Sequence, residues 1–279
     1  MKCYDCPRKC GVEREEIKGY CGEGNKIRIS KIIENFMWEE PCISGDKGAL
    51  AIFFSGCNLR CEFCQNYKIS HLGGGKEYSP KEFRQLLQSF DLSKFSSIDL
   101  ITPTHFSSLL IEALTDFSSP IPIVWNSGGY ERVEMIEKLS KVVDVFLPDF
   151  KYFSKELSLK LSKCEDYFDI ASKAIVAMRN YKKENKFVNG ILTEGVLLRH
   201  LVLPQYVRDS FKILDFIKEN IQNPFVSIMG QFTPTGRGEL NRKIYPLEYK
   251  SVLAHAEKLE LDGYLQELSS ANENFIPEF

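Results

Sequence analysis

The sequence predicts an α/β fold with a parallel sheet, preceded by a small cysteine-rich segment that binds metal. From about Gly48 onward, apolar runs of strand length alternate with amphipathic stretches of helical period. Helices that lie between consecutive strands imply that those strands pair in parallel. Eight of the nine cysteines, by contrast, fall within the first 64 residues. We therefore divide the chain into a cysteine-rich extension, residues 1–47, and an α/β domain, residues 48–279.

Six apolar runs are predicted to form the sheet, because each has the length of a strand and is followed by a helical or turn-forming stretch. The predicted strands are Ala49–Ser55, Ser97–Thr102, Ile121–Trp125, Val142–Leu147, Gly195–Leu203 and Phe225–Met229.

The first predicted helix begins after Ser79, an N-cap that is followed by Pro80 at the first helical position. A longer helical insert separates the fourth and fifth strands, a last helix closes the domain, and the tail Asn272–Phe279 is predicted to be irregular. The predicted helices are Pro80–Phe90, His105–Phe117, Glu131–Lys141, Ser154–Asn185, Asp209–Asn220 and Leu247–Leu259.

Composition and charge narrow the class of protein. The chain has 279 residues, is 43% hydrophobic and 27% charged, and carries a formal net charge of -2, which indicates a globular protein and argues against general nucleic-acid binding. No apolar run approaches the roughly 18 residues of a membrane span, and the N-terminus lacks a secretory signal. An odd number of cysteines in such a chain favours metal ligation over disulfides, so we expect a cytoplasmic protein.

The central cysteine loop is the strongest motif in the chain. Cys57, Cys61 and Cys64 form a C-x3-C-x2-C spacing directly after the first predicted strand. Thiolates this close in sequence can wrap one iron-sulfur cubane, and three of them leave one iron open to bind a small molecule. The alternative is a zinc site or an electron-transfer cluster with four protein ligands, for which His71 is a candidate fourth ligand.

The extension carries a second set of cysteines with the spacing C-x2-C-x3-C-x10-C, enough to close another metal site. The uneven spacing favours a second four-iron cluster over zinc, and both stay open. Cys42 and Cys164 have no cysteine close by and are interpreted as packed thiols, although Cys42 is also a candidate ligand. The set consists of Cys3, Cys6, Cys10 and Cys21.

The central motif, with aromatic Phe63 before its third cysteine, resembles the signature of the radical S-adenosylmethionine (SAM) superfamily. The chain is more specifically similar to the PflX branch of pyruvate formate-lyase activating enzyme homologues. The resemblance extends to Cys6–Val12, Glu40–Gly45, Leu147–Tyr152 and Arg199–Pro204.

This resemblance implies an incomplete parallel (β/α)6 barrel, similar to a TIM barrel, and a [4Fe-4S] cluster whose open iron is chelated by the amine and carboxylate of SAM. Reductive cleavage of SAM then gives methionine and a 5'-deoxyadenosyl radical that abstracts hydrogen from a substrate. An electron donor such as flavodoxin or ferredoxin is implied as a partner, and so is a protein or peptide substrate if the chain is an activase that installs a glycyl radical. The rival interpretation is a non-catalytic iron-sulfur or zinc protein.

Polar residues at the predicted strand ends are candidates for SAM binding, because barrels of this kind build their sites there. Thr102 and Thr104 stand where many relatives have a GGE segment, so the amine contacts of this chain differ. Asn126 and Ser127 resemble the DTNG segment of activating enzymes, although both residue types also end strands as simple turns. His105, after Thr104, is interpreted equally as a site residue or as the start of a helix.

Charged residues follow the fourth and fifth predicted strands. Asp149 and Lys151 resemble the DLK segment of the activases, and their alternative is a structural ion pair. Arg199 and His200 cannot share one face of a strand, and we expect Arg199 to face the interior and bind the carboxylate of SAM. Gln231 is a candidate at the rim of the site or a residue that caps the following loop.

Overall fold

The computed structural model describes residues 2–266 and 268, so the predicted irregular tail Asn272–Phe279 lies outside the described residues. Every one of the six predicted strands is present, and four further strands, β1, β3, β7 and β11, accompany them. The strands are β1 (Ile27–Phe36), β2 (Ala49–Phe54), β3 (Lys76–Tyr78), β4 (Ser97–Ile101), β5 (Ile123–Ser127), β6 (Val145–Pro148), β7 (Lys186–Val188), β8 (Ile191–Val196), β9 (Leu198–Leu201), β10 (Phe225–Met229) and β11 (Asp262–Leu265).

The helices follow the predicted alternation with two differences, the first of which is an unpredicted short helix, Pro41–Ser44. The predicted insert Ser154–Asn185 is two helices, because Lys163 takes a left-handed conformation that ends the first of them. At the start of α2, Ser79 and Glu82 form a capping box, which confirms the predicted N-cap. The helices are α1 (Pro41–Ser44), α2 (Pro80–Gln88), α3 (Ser107–Thr115), α4 (Val133–Leu139), α5 (Lys155–Ser162), α6 (Tyr167–Tyr181), α7 (Val207–Asn220) and α8 (Pro246–Lys258).

The sheet is mostly parallel, as predicted. Strands β2, β4, β5, β6 and β8 pair in parallel in that order, and β9, β10 and β11 form a second parallel ladder. The predicted strand Gly195–Leu203 is divided between β8 and β9, and a parallel bridge from Asp149 to Arg199 connects the two ladders. Within the described residues, no backbone pairing joins β3 to β11 at the outer edges, so barrel closure stays a prediction.

Strand β1 was not predicted, and it runs antiparallel beside β2. Because β1 belongs to the cysteine-rich extension and β2 to the α/β domain, one continuous sheet crosses the predicted boundary at residue 47. The extension is therefore hydrogen-bonded, through β1, to the strand that leads into the cysteine loop. No helix in residues 2–266 is long and apolar enough to cross a membrane.

Alternation along the parallel strands separates two packing faces. Ile98 and Leu100 belong to the large core that includes residues of α2, α3 and α4. The opposite face receives the short helix α1, whose Cys42 and Ile43 pack in a cluster with Val124, Val145 and Leu147. The segment that precedes α1 is thereby brought to the same face as the site described below.

The turn into β2 depends on a glycine. Gly48 has a φ of +76°, and a Cβ atom there would lie 2.3 Å from the backbone carbonyl carbon of Asn35 on β1. We expect Gly48→Ala to lower the free energy of unfolding by about 3 kcal/mol or more, because the cost of placing alanine in a left-handed conformation adds to the cost of the clash with the Asn35 backbone. Gly190→Ala is the matched control, because Gly190 has a φ of +81° but no atom within 4 Å of its added Cβ. Urea denaturation should give a loss of about 1 kcal/mol for the control, and equal losses would contradict the role of the clash.

Candidate active site

The cysteine loop begins where β2 ends. Gly56 has a φ of +77°, and a Cβ atom there would lie 2.6 Å from the carbonyl oxygen of Cys21, so only glycine fits between the loop and the extension. The backbone amides of Arg60 and Glu62 donate to the carbonyl oxygens of Ser162 and Leu161 at the end of α5. The loop is therefore fixed from both sides.

The three thiols of the loop are directed into one cavity. Cys57, Cys61 and Cys64 all line it. Burial raises the pKa of the Cys57 thiol to about 12, and the neighbouring Cys61 adds to this effect. Burial and Cys61 raise the pKa of Cys64 as well. Burial and the neighbouring Cys61 thus disfavour ionisation of Cys57 and Cys64, and a positively charged metal group bound by these thiols would offset that cost.

Hydrogen-bond donors approach these sulfur atoms. The Ser162 hydroxyl donates to Cys61 Sγ at 2.9 Å, and the Leu59 amide donates to Cys57 Sγ at 3.4 Å. The hydroxyl of Ser70 lies 3.3 Å from Cys64 Sγ. Donors of this kind stabilise sulfur as thiolate, the form that ligates metal.

The cavity has a volume of about 230 Å³ and combines the cysteine loop with polar side chains from several strands. Aromatic side chains of Phe36, Trp38, Phe53 and Phe63 supply part of its apolar surface. The polar residues that line it are Glu39, Glu40, Gln65, Asn66, Thr102, Asn126, Asp149, Lys151, Arg199, Gln231, Thr233 and Gln266.

Arg199 is the centre of a hydrogen-bond network in this cavity. Its Nε donates to Asp149 Oδ1 at 2.9 Å, one terminal nitrogen donates to Glu39 Oε2 at 2.7 Å, and the other donates to Asn126 Oδ1 at 2.5 Å. Lys151 Nζ donates to the second oxygen of Asp149 at 2.6 Å. Burial alone would raise the pKa of Asp149, but the two cations lower it overall. Asp149 is therefore ionised and Arg199 holds it in place.

A pair of carboxyl groups lies behind Asn126. Asn126 Nδ2 donates to Glu39 at 3.3 Å and to Asp99 at 3.2 Å. Burial and the proximity of Glu39 raise the pKa of Asp99 well above its ordinary value. Burial also raises the pKa of Glu39, to about 7, although Arg199 opposes this shift. The raised pKa values indicate that one of these two neighbouring carboxyl groups is protonated. Because Arg199 donates directly to Glu39, we assign the proton to Asp99.

A family model described as the radical SAM superfamily matches residues 51–202, a range that contains the cysteine loop and most of the polar network. This chain belongs to the radical SAM superfamily. An uncharacterized protein of Methanocaldococcus jannaschii is 34% identical over 277 residues, covering 93% of this chain and 75% of its own length. The pyruvate formate-lyase-activating enzyme of Clostridium pasteurianum is 24% identical, covering 78% of this chain and 90% of its own.

Two solved structures share the fold at low identity. A radical SAM methyltransferase of Sphaerobacter thermophilus has a TM-score of 0.54 and 13% identity, covering 77% of this chain and 65% of its own. Streptococcus suis SuiB has a TM-score of 0.51 and 15% identity, covering 79% of this chain and 49% of its own. The chain thus spans less than two thirds of either solved protein, and the likeness concerns the fold.

Radical SAM membership implies SAM and a [4Fe-4S] cluster, and the donor set of the loop fits that group. Within residues 2–266 and 268, no three His, Cys, Asp or Glu side chains are grouped closely enough to hold a single metal ion. Three thiols that line one cavity are the donor type that an iron-sulfur cluster takes. His71, the candidate fourth ligand, does not line the cavity; it stacks on Tyr67 and contacts the Ser70 hydroxyl.

Most of the predicted SAM-binding residues line the cavity, but two do not. Thr104 donates to Glu131 at 2.6 Å, and the Ser127 hydroxyl accepts from the Gly129 amide at 3.3 Å. The roles of Thr104 and Ser127 in binding SAM stay predictions. The cavity does include Phe63, Thr102, Asn126, Asp149, Lys151, Arg199 and the rim candidate Gln231.

The two histidines near the strand ends are buried outside the cavity. His200 contacts the carbonyl oxygen of Phe150 at 2.7 Å and the Ser210 hydroxyl at 2.9 Å, on the face opposite to Arg199, as strand alternation predicted. The ring of His105 contacts the Ser55 carbonyl oxygen at 2.6 Å, and burial lowers its pKa to about 3. A neutral His105 donates to this carbonyl and thereby supports the end of β2.

Sequence reasoning missed Glu39, Glu40 and Asp99. For Asp99 a signal was available, because a carboxylate in the middle of the apolar run Ser97–Ile101 needs a partner when buried. For the two glutamates the pattern carried no signal, since nothing local indicates that they precede a helix packed inside the fold.

The cysteines of the extension lie close together beside the loop. Burial raises the pKa of Cys6 to about 12, with smaller contributions from Cys21, Cys10 and Cys3. The Tyr20 amide donates to Cys10 Sγ at 3.3 Å. Two arginines connect this unit to the loop: Arg8 donates to the Asn58 carbonyl oxygen, and Arg60 donates to the Tyr20 carbonyl oxygen. Cys42 and Cys164 are buried elsewhere.

Glu131 should make stability depend on pH. Its carboxyl is buried and accepts from Thr104 and Trp125, and burial raises its pKa from 4.5 to about 7. Between these values the folded state holds a proton that the unfolded state releases, so stability falls as pH rises, by up to about 1.4 kcal/mol per pH unit. Glu131→Gln should flatten this dependence in urea denaturation of the metal-free chain at pH 5, 6 and 7. The exposed Glu137→Gln should leave it unchanged, and an unchanged slope in both variants would contradict the assignment.

Proposed function

We propose that this chain is an enzyme that cleaves SAM reductively and uses the resulting 5'-deoxyadenosyl radical to abstract hydrogen from a substrate. The observation that carries the proposal is the shared cavity, which places Cys57, Cys61 and Cys64 opposite an ordered set of polar groups on neighbouring strands. Neither the cysteines nor the polar groups alone would support this proposal. Three cysteines can also hold an electron-transfer cluster, and a polar network can also consist of ion pairs that stabilise the fold. Membership in the radical SAM superfamily supports a site in which the cysteines hold the cluster and the polar groups bind SAM.

Cys57, Cys61 and Cys64 would hold the [4Fe-4S] cluster and leave one iron for SAM. When bound and reduced, the cluster supplies the electron that splits the sulfonium into methionine and a carbon-centred radical. The Ser162 and Leu59 donors stabilise the ligating sulfur atoms, and the fixed backbone of the loop keeps their spacing.

The remaining residues bind and orient the reactants. Thr102, Asn126 and Lys151 present a hydroxyl, an amide and an ammonium group to the cavity, which suits the carboxylate, amine and ribose of SAM. Arg199 orients Asn126 and Asp149 by donating a hydrogen bond to each of them. Its two remaining N–H groups are suited to bind the carboxylate of SAM. Phe63 and the other aromatic side chains exclude water from the radical.

The test is anaerobic reconstitution with iron and sulfide, reduction by dithionite or by flavodoxin, and measurement of 5'-deoxyadenosine and methionine. We expect both products in equal amounts, together with the absorption of a four-iron cluster. A reduced protein that retains its cluster but never forms 5'-deoxyadenosine would refute the enzyme and favour the electron-transfer alternative.

The alternative activity is that of an activase which installs a glycyl radical on a protein partner. It is favoured by the names of the Clostridium pasteurianum relative and of the Listeria monocytogenes enzyme, which is 22% identical over 182 residues and matches 60% of this chain and 68% of its own length. A glycyl radical signal on a co-purifying protein, measured by electron paramagnetic resonance, would support it. Its absence with 5'-deoxyadenosine present would favour a different substrate.

We also propose that the cysteines of the extension hold a second metal group beside the loop. Cys21, Cys10 and Cys3 each contribute to the raised pKa of Cys6, so the four thiols lie close together, and their uneven spacing in sequence favours a second four-iron cluster over zinc. Iron and zinc analysis of the variant Cys6→Ala/Cys10→Ala/Cys21→Ala should show about four fewer irons per chain. Loss of one zinc instead would assign a zinc site.

A further inference from the structure

The acidic wall of the cavity consists of Glu39, Glu40 and Asp149, and it holds more carboxyl groups than the cavity holds cations, which are Lys151 and Arg199. Asp149 is paired with Lys151, and Glu39 is paired with Arg199. Asp99 accepts from Asn126 and retains its proton beside Glu39. These pairings account for every member of the acidic wall except Glu40.

Glu40 is the one member of the acidic wall that forms no ion pair among the described residues. Its side chain is only 6% exposed, it lines the cavity, and its Oε2 is buried without a hydrogen bond. It precedes α1 but makes no capping bond to that helix. A buried carboxyl group without a hydrogen-bonded or ion-paired cation is unfavourable, so the site favours a cation that enters the cavity beside Glu40.

The surroundings of Glu40 define the rest of the ligand. Phe36, Trp38 and Phe53 line the same cavity and stack edge to face or tilted, with ring centroids 5.2 and 5.6 Å apart. Aromatic faces of this kind accept an apolar stem and add to the binding of a cation.

We infer that the substrate carries an ammonium or guanidinium group on an apolar stem, and that Glu40 binds this group. The inference rests on the proposed function, because it concerns the molecule from which the radical takes hydrogen. It assigns Glu40 and the adjoining aromatic side chains to the substrate and the cysteine side of the cavity to SAM.

The test measures binding of n-pentylammonium and of neutral 1-pentanol to the anaerobically reconstituted, oxidised protein by ligand-observed nuclear magnetic resonance. We expect the ammonium to bind about tenfold more tightly than the alcohol, as one charged hydrogen bond provides. Glu40→Gln should remove this preference, whereas Glu40→Asp and the exposed control Glu137→Gln should keep it. Saturating SAM should leave ammonium binding unchanged.

Three results would overturn the inference: no preference in the wild-type protein, an undiminished preference in Glu40→Gln, or displacement of the ammonium by SAM. The last result would assign Glu40 to the amine of SAM itself. If Glu40→Gln fails to fold, a wild-type protein that shows no preference for the ammonium would still overturn the inference. A protein that binds the ammonium selectively but never forms 5'-deoxyadenosine would refute the proposed function alone.

Discussion

Replacing Cys57, Cys61 and Cys64 together by alanine should remove about four irons per chain and abolish 5'-deoxyadenosine formation. The reason is that these thiols share one cavity and no other cysteine among the described residues lines it. Without them the cluster has no ligands on the loop, so the effect on activity is total rather than graded. Iron analysis, the visible absorption band and chromatography of the reaction products measure the three consequences.

The matched control for this variant is Cys164→Ala. Cys164 is also a buried thiol, and its Sγ contacts Asp166 Oδ1 at 3.5 Å, outside both cysteine sets. We expect the control to retain its full iron content and to form 5'-deoxyadenosine. If the triple variant kept its iron and its activity, the loop would not be the site of the cluster.

Replacing Arg199 by methionine should cost about 3–5 kcal/mol of folding free energy, because it leaves the buried Glu39 without its cation and Asp149 with Lys151 alone. The side chains of Arg199, Glu39 and Asp149 are 13%, 11% and 18% exposed, so water compensates little for the lost cation. Urea denaturation of the metal-free chain measures this loss. Arg199→Lys should lose less, since it keeps the charge but not the three-way hydrogen bonding.

A double-mutant cycle separates the network from simple loss of packing. Because Asp149 is an immediate partner of Arg199, the variant Asp149→Asn/Arg199→Met should be less destabilised than the sum of its single variants. Strict additivity would mean that the two side chains do not interact in the folded protein. The same variants should bind SAM weakly, because Asn126 loses the guanidinium that fixes its orientation.

The fold was predictable where the signal is local. An apolar run followed by an amphipathic stretch repeats often enough to give the parallel strands and their helices, and Ser79 with Pro80 marks a helix start by its own chemistry. The missed strands β1 and β3 lack this signal. They pair antiparallel at the edge of the sheet, and their exposed residues show no sustained alternation.

The division of the fifth predicted strand could not be predicted either. Gly195 has a φ of +147°, and a Cβ atom there would lie 2.2 Å from the side-chain oxygen of Asn185. That oxygen also accepts from the amide of Val196, so the break between β8 and β9 depends on a residue ten positions earlier. No apolar pattern encodes such a contact.

The sequence by itself determined the chemistry at the cysteine loop, because three thiols within eight residues must converge wherever the chain goes. It also determined that Arg199 and His200 cannot both face the site, because successive side chains of a strand alternate. Tertiary structure alone decided which carboxylates Arg199 meets and which one is left without a cation. Glu39 lies 160 residues from Arg199 along the chain, and only the packing of α1 inside the fold brings Glu39 and Glu40 into the cavity. The net charge of a buried site depends on residues from distant segments of the chain, and a local sequence pattern does not show which of them meet.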